Sequence, residues 1–427
     1  MKIYKYIIPI ILILSSLIRY SYSQASCYTL NARFSDKNTI WVVGEDGLIL
    51  NSPDRGITWN SFNSNTTNVL YSILPVKNGT YFIVGDNGII LKSNNNGNSW
   101  KYYFTQVYEP LLSIASIDTN ILIICGENGT ILRSDNGGDN WTKIEYDVKT
   151  NLNKINLNKI ISTANNNFII AGDNGVLLLS TDEGKTWINK DTLSNQNFYC
   201  ISSNANGLCA AAGENCGIYI SRDFGTSWVN IKSQFAKINL YDIKVLQTGV
   251  IIAVGTNGTI LRSSDFGASW LKINSNTNYD ILTVDFIGSF GFTPIDINNA
   301  LYTYDGGITW NKKSGFTNNY SNKVNQLSKV KSQTKINDFS LEQNYPNPFN
   351  PTTKINYKLS DLSNVNLSVY DVLGNLIKCL VNTSQSAGVY SYSFDGSNIG
   401  GGIYFCRINI NNGRYENNKT IRMVLNK

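Results

Sequence analysis

The chain of 427 residues contains no histidine. That absence removes His-based catalytic triads, most zinc sites and the commonest general base. Charged residues make up only 15% of the chain, and methionine occurs twice. No long stretch carries helical periodicity, no cysteine cluster has zinc-finger spacing, and no glycine-rich loop leads from a strand into a helix as a phosphate cradle requires. Arginine is sparse as well. Between residues 24 and 316 it occurs only as Arg33, Arg55, Arg133, Arg222 and Arg262. A sialidase-type site, which grips a substrate carboxylate with an arginine cluster, is not visible. Arg133 and Arg262, with Lys92 in the same register, each precede the first residue of a repeated motif. That placement points to strand-face packing or charge and not to a catalytic trio. No metal site and no cofactor are expected.

The net charge of +6 is a poor guide to partners. Residues 1–23 contribute +3, residues 317–338 contribute 4 − 1 = +3, and residues 339–427 contribute 8 − 5 = +3. Residues 24–316 carry 21 basic and 24 acidic side chains, a balance of −3. A nucleic-acid partner needs Lys and Arg clustered on the working domain, so none is expected.

What the chain does have is a period. Trp59, Trp100, Trp141, Trp187, Trp228, Trp270 and Trp310 recur at intervals of 41, 41, 46, 41, 42 and 40 residues, and only Trp41 falls outside the series. Each closes an octapeptide, from S-P-D-R-G-I-T-W at 52–59 to T-Y-D-G-G-I-T-W at 303–310. Its glycine, present in all seven copies, suits a turn with positive φ, and its Asp or Asn can lock that turn by bonding backbone N–H groups. About 11 residues upstream lies a second turn, V-G-D-N-G in repeat 2, flanked by apolar runs as in a hairpin. Repeat 2 then reads as four short strands, L-Y-S-I-L-P-V, T-Y-F-I-V, G-I-I-L-K-S and S-W-K-Y-Y. Four strands repeated radially make a propeller blade. The fold class is therefore all-β: a seven-bladed β-propeller followed by a small immunoglobulin-like β-sandwich. Repeat 7 is worn, with I-D-I-N-N-A in place of its first turn.

The octapeptide resembles the Asp-box, or BNR, repeat. The longer pattern V-G-x-x-G-x-I-L-x-S-x-D-x-G-x-x-W is similar to the propellers of the photosystem II assembly factor family. The resemblance implies a fold over nearly 300 residues and little about function, because Asp-boxes occur in sialidases, other glycosidases, sorting receptors and non-catalytic scaffolds, on the rim of the blades.

The two ends read differently. Lys2 and Lys5, an apolar run from Ile7 to Ile18 and S-Y-S at 21–23 make a secretory signal peptide, 1–23. A lipid anchor at Cys27 is the rival reading, and no membrane span is expected after signal removal. The propeller is assigned to 24–316 and a polar linker to 317–338. From 339 to 427 the chain opens with N-Y-P-N-P-F-N-P at 344–351 and continues in alternating strands with Gly/Asn turns. Through Val369-Tyr370-Asp371 and Leu373-Gly374 to Lys427, this segment resembles the C-terminal sorting domain of type IX secretion cargo. The resemblance implies export through the periplasm and across the outer membrane by the type IX machinery, to the medium or the outer-membrane surface. Seven cysteines show no framework. The compartment permits disulfides, Cys379–Cys406 among them, while Cys125, Cys209 and Cys406 also suit apolar strands.

Two features suggest binding. The upstream turns carry Glu45, Asp46, Asp86, Glu127, Asp173 and Glu214, and alternating strand direction places them on the face opposite the Asp-boxes. Such carboxylates can take a cation or a basic partner, or serve the turns alone. The loop after Trp100 carries Tyr102, Tyr103, Phe104 and Tyr108, a stacking platform for sugar or peptide, or else outer-strand packing. The expected function is a secreted or surface-displayed propeller that binds a protein or glycan without catalysis. The alternative is a secreted glycoside hydrolase working with carboxylates of the central channel, for which Asp242, Asp280 and Asp285 are the main candidates.

Overall fold

A computed structural model describes residues 29–314 and 339–427, apart from 104, 106, 145–154, 191–194, 232–234, 236, 297, 360–362, 373, 387 and 412–415. The signal segment, Cys27, the linker, the insertion after Trp141 and Leu373 lie outside the described residues.

Residues 29–61, 70–103, 111–143, 157–189, 198–231, 240–273 and 285–314 form seven four-stranded antiparallel sheets, each paired in strict chain order. These are the blades. The first strands of neighbouring blades lie side by side, so they surround the central axis and the fourth strands form the perimeter. The second strand of each blade is fully buried, and in blades 1 to 6 apolar throughout, as in Ile40–Gly44 and Tyr81–Gly85, because both of its faces meet neighbouring blades. This is why the runs read as continuous apolar strands and not as alternating ones.

The Asp-box turns share one hydrogen-bond scheme. In blade 6 the Ser263 hydroxyl donates to Asp265 Oδ1 (2.8 Å) and accepts from Gly267 N–H (2.9 Å), while Ser269 N–H donates to Asp265 Oδ1 (2.8 Å). The Ser269 hydroxyl, then the Ser269 amide and the Ser263 hydroxyl, hold the Asp265 carboxyl down at about 2. The box glycine is required twice over. Gly97 sits at φ +80°, and a Cβ there would stand 2.3 Å from the Trp41 ring in the preceding blade. Gly138 meets Phe82, Gly184 meets Ile123 and Gly225 meets Ile169 in the same way. Trp41 thus has a place in the repeat after all. It is the second-strand residue on which the next Asp-box docks, and it packs among Phe62, Tyr81 and Trp100.

The ring closes without sharing a strand, since blade 1 and blade 7 are each built from one contiguous segment. In blade 7, Asp296 replaces the worn turn's glycine chemistry by accepting the N–H groups of Asn298 (2.6 Å) and Asn299 (2.8 Å).

Residues 340–425 form a sandwich of a three-stranded sheet (Ser340–Leu341, Thr352–Leu359, Gly388–Asp395) and a four-stranded sheet in the order Leu376–Gln385, Ser363–Tyr370, Gly402–Asn411, Glu416–Leu425. Ile355, Tyr357 and Leu359 from one sheet and Val365, Leu367 and Val369 from the other alternate inward to the core. The Cys379–Cys406 bridge that the compartment permits is not formed. The two residues flank opposite edges of strand Ser363–Tyr370, with Cys406 buried and Cys379 exposed. Strands two places apart stand about 10 Å from each other, beyond the reach of a disulfide.

Candidate functional site

The upstream turns all take one shape. Residues Glu45–Gly47, Asp86–Gly88, Asp173–Gly175, Glu214–Cys216 and Thr256–Gly258 form single tight turns, with the middle residue at φ between 51° and 55°. The first residue donates its N–H to the loop entering the same blade, as from Asp86 to Val69 O (2.9 Å) and from Glu127 to Pro110 O (3.0 Å). The third donates to the loop leaving it, as from Gly47 to Asn68 O (3.0 Å) and from Gly129 to Ile155 O (2.7 Å). A Cβ at Gly88 would lie 1.8 Å from Val107 O, which fixes glycine there. Blade 5 departs from this rule: Cys216 takes the position at φ +57°, buried in the blade core. The turns join the second and third strands of each blade, whereas the Asp-boxes join the third and fourth, so the two sets lie on opposite faces.

The backbone of each turn is committed to its loops, and the carboxylates of Glu45, Asp86, Glu127, Asp173 and Glu214 come together on one face. Asp86 Oδ1 accepts from the Tyr71 hydroxyl (2.7 Å), and Asp173 Oδ1 accepts from Asn158 Nδ2 (2.8 Å). The Glu127 carboxylate accepts no hydrogen bond among the described residues. Burial, followed by the charges of Asp86 and Asp173 in the adjoining blades, raises its carboxyl above the ordinary range. Burial raises Asp173 as well, with Glu214 adding to the shift. These acids therefore feel one another across blade boundaries and are not separate turn residues.

Sequence reading missed the tyrosines beside them. Tyr71, Tyr199 and Tyr241 hold the second position of their innermost strands, half-buried, and the Tyr199 and Tyr241 rings lie 6.2 Å apart. Burial and then Asp86 push the Tyr71 hydroxyl upward; burial and then Asp280 do the same to Tyr241. Their signal was the recurrent L-Y-S, F-Y-C and L-Y-D at strand starts. Phe104 lies outside the described residues, and of the rest of the expected platform only Tyr108 is exposed. Tyr102 and Tyr103, on the outermost strand of blade 2, are half-buried and point to opposite faces of the blade, one packing against blade 1 and the other against blade 3. Tyr103 is further held by the Lys92 and Lys101 ammonium groups, 5.8 and 4.6 Å from its ring. The structure does not join Tyr102 to the carboxylates, while Tyr108 sits on the loop that covers Gly88.

Lys92, Arg133 and Arg262 do share a structural task. Lys92 Nζ meets Asp139 (2.8 Å), Arg133 Nε donates to Glu183 O (3.0 Å), and Arg262 Nε donates to Gly306 O (3.0 Å), each clamping the next blade's Asp-box.

The channel acids are held otherwise. The third residue of each innermost strand is polar or thiol-bearing: Asn31, Ser72, Ser113, Lys159, Cys200 and Asp242, with Thr283 ahead of the blade 7 strand. Several of them satisfy a backbone amide of the next blade. Asn31 Oδ1 accepts from Ile73 N–H (3.2 Å), Asp242 Oδ2 from Val284 N–H (3.1 Å), and Thr283 Oγ1 from Ala32 N–H (3.3 Å). Lys159 reaches past blade 5 to Asp242 (3.9 Å). Asp285 accepts from Phe34 N–H in blade 1 (2.8 Å) and pairs with Lys244 (2.5 Å) and Arg33 (3.7 Å), so its carboxylate fastens blade 7 to blades 6 and 1. Burial alone would raise the Asp285 carboxyl. The Lys244 ammonium and Arg33 guanidinium hold it below the ordinary carboxylate range. Asp280 instead accepts the N–H of Asn257 at an exposed turn (2.8 Å).

A depressed carboxyl stabilises the fold fully above its unfolded-state pKa, and that contribution is lost as pH falls through the folded-state value. Asp285→Asn should therefore cost about 1.5–3 kcal/mol at neutral pH, the range for a charge-assisted hydrogen bond. The deficit should shrink below the ordinary Asp range, near pH 4. Urea titrations of both proteins at neutral and acid pH measure this. An equal deficit at both pH values would mean that the charge of Asp285 does not hold the seam.

Two family models match the chain. The photosynthesis system II assembly factor YCF48 model matches residues 18–94 and 92–233, together half of the chain. The secretion system C-terminal sorting domain matches residues 343–422. No curated protein matches. Among solved structures, YCF48 from Cyanidioschyzon merolae is similar at 17% identity with a TM-score of 0.54, over 66% of this chain and 96% of its own. An ancestral GH74 enzyme aligns at 12% identity and TM-score 0.56, over 93% of this chain and 62% of its own. PorZ of Porphyromonas gingivalis, a bacterial surface component of the type-IX secretion system, aligns at 13% identity and TM-score 0.50, over 93% and 59%. At such identities these likenesses speak for the fold alone.

Proposed function

Because the chain belongs to the photosynthesis system II assembly factor YCF48 family and ends in a secretion system C-terminal sorting domain, we propose that it is an exported, non-catalytic binding propeller that takes a basic peptide segment on its turn face. Type IX export carries it to the cell surface or the medium. In this reading residues 1–23 are removed as a signal, 24–316 do the binding, 317–338 link, and 339–427 address the protein to the machinery.

The observation that supports a basic ligand is Glu127. Its carboxylate is half-buried, has no hydrogen-bond donor among the described residues, and lies in the field of acids from both neighbouring blades. A Lys or Arg side chain would supply the missing counter-charge, and the tyrosine rings at the same mouth would take its apolar stem and cationic head. The channel acids support the non-catalytic part. A glycosidase needs one carboxyl that is protonated near neutral pH and a second free to act as base or nucleophile. Asp285 is held ionised by two cations, and Asp242 is committed to the backbone of blade 7.

The test is calorimetric titration of the protein with a Lys/Arg-rich peptide and with its lysine-acetylated, citrulline-substituted counterpart. Only the basic form should bind, with salt-dependent affinity, and Glu127→Gln with Asp173→Asn should weaken binding several-fold. The same double variant should be more resistant to urea at neutral pH. A carboxyl raised in the folded state favours folding while protonated, and loses that advantage as pH rises through the folded value. Equal binding of both peptides would defeat the proposal. So would hydrolysis of xyloglucan that disappears in Asp242→Asn or Asp285→Asn.

A further inference from the structure

Two clefts open side by side where blade 7 meets the Asp-box of blade 1, on the face opposite the acidic turns. One, of about 480 Å³, is lined by Arg55, Tyr302, Tyr304, Lys312 and Lys313. The other, of about 420 Å³, is lined by Lys37 and again by Arg55. Arg55 stands between them, so the two make one groove along the rim.

The groove is basic within an acidic domain. Its one carboxylate, Asp54, is consumed by its own turn, accepting from the Ser52 hydroxyl (2.9 Å), Thr58 N–H (2.7 Å) and the Thr58 hydroxyl (2.6 Å). None of Lys37, Arg55, Lys312 and Lys313 forms an ion pair among the described residues. On the same rim elsewhere some cations are paired, Lys92 with Asp139, Arg133 with Asp135 and Lys185 with Glu183, while Arg222 and Arg262 stand singly, each donating to a carbonyl of the next blade's Asp-box. Carbonyls and rings hold two of the four unpaired cations in place. Arg55 Nε donates to Lys37 O (2.8 Å) and its guanidinium lies 5.4 Å from the Phe290 ring, while Lys313 Nζ donates to Gly56 O (3.2 Å). These contacts position the charges without neutralising them. Beside them the Tyr304 ring is 65% exposed, steadied by Phe290 at 5.1 Å.

A fixed, exposed aromatic ring next to uncompensated cations matches a sugar ring that carries an acid group: the ring takes the pyranose face and the cations take the anion. We propose that this groove binds an acidic polysaccharide, whose sugars bear carboxylate or sulfate groups. An open groove of two joined clefts suits a chain that enters and leaves, where an enclosed pocket would suit a single small molecule.

Calorimetry on the full chain tests this with four probes: a galacturonic acid oligosaccharide, a sulfated heparin oligosaccharide, a neutral cello-oligosaccharide and a polyglutamate peptide. One or both acidic sugars should bind, more weakly as salt rises, and the tighter of the two identifies carboxylate or sulfate. Lys312→Ala with Tyr304→Ala should weaken that binding about tenfold or more, since a single strong contact is of that size. Arg55→Asn should weaken it too. Asn suits that substitution because Arg55 lies at φ +58°, a left-handed conformation that Asn tolerates. Lys185→Ala, a cation on the blade 4 Asp-box, should leave affinity unchanged, and melting curves should confirm that all variants fold. Failure of both acidic sugars to bind overturns the proposal. It is equally overturned if the neutral sugar or polyglutamate binds as tightly, or if Lys185→Ala costs as much as the groove variants.

Discussion

Replacing Trp187 by Ala should destabilise the propeller by about 3–5 kcal/mol, the range for truncating a large buried aromatic. Trp187 is only 8% exposed and packs into one cluster with Ile123 and Ile131 of blade 3 and Leu157, Phe168 and Leu178 of blade 4. The Asp-box turn thus does two things: its glycine docks on the preceding blade, and its tryptophan fills the junction below. Losing the indole leaves a cavity that neither blade can collapse into, because the second strands of both are fixed by their own neighbours. Against a typical total stability of about 5–15 kcal/mol, that is a large fraction. The seven positions are not equal. Trp59, Trp141 and Trp228 are half-buried, so Trp228→Ala should cost distinctly less than Trp187→Ala. Guanidinium titrations of the two variants decide this. A Trp228→Ala deficit as large as that of Trp187→Ala would show that the tryptophans act by completing the turn and not by filling the junction.

These positions also differ in how plainly the sequence states them. Features repeated at a fixed interval are legible, because blade after blade states them again: four strands and the Asp-box in all seven, the upstream turn in the first six. Trp41 falls outside the Asp-box series because it does not belong to the box. It belongs to a different repeated position, one that blades 2, 3 and 4 fill with Phe82, Ile123 and Ile169, and a position defined by volume does not announce itself by residue type. The seam was illegible for another reason. Phe34 and Asp285 bond across 251 residues, and closure of a ring brings together segments that no local pattern relates. The acidic turns were legible one by one as turn residues. That Glu127 feels Asp86 and Asp173 depends on the radius at which blades converge, which is a property of the closed ring. Tyr102 and Tyr103 illustrate the converse: aromatics that lie near one another in sequence read as a platform, yet these two sit on a strand whose faces are covered by neighbouring blades.

Removing residues 339–427 should leave a folded propeller that fails to leave the cell and collects in the periplasm. All seven sheets close from residues 29–314, and none contains a strand of the sandwich. The tail in turn has its own core, and it is clasped by its own Pro-rich opening. Phe349 N–H donates to Val424 O (2.8 Å), Asn426 N–H donates to Phe349 O (2.9 Å), and Asn347 Nδ2 donates to Arg422 O (3.0 Å). The first and last segments of the tail are therefore one structure, which explains why the sorting-domain match runs nearly its full length, from 343 to 422. Separate sheets and separate cores predict a clean separation of effects. The truncated protein should melt as the intact propeller does while its amount in the medium falls to the level of a periplasmic marker. Phe349→Ala, in an otherwise complete chain, should do the same more gradually. Its ring is 1% exposed and sits against Phe394 at 5.9 Å, so loss of the clasp should cost the tail about 3–5 kcal/mol while the propeller transition stays unchanged. Fractionation of cells expressing the three forms, followed by melting of each purified protein, gives both readouts. Efficient appearance of the truncated form in the medium would show that the address lies elsewhere in the chain. An unfolded truncated form would show that the two units are not independent.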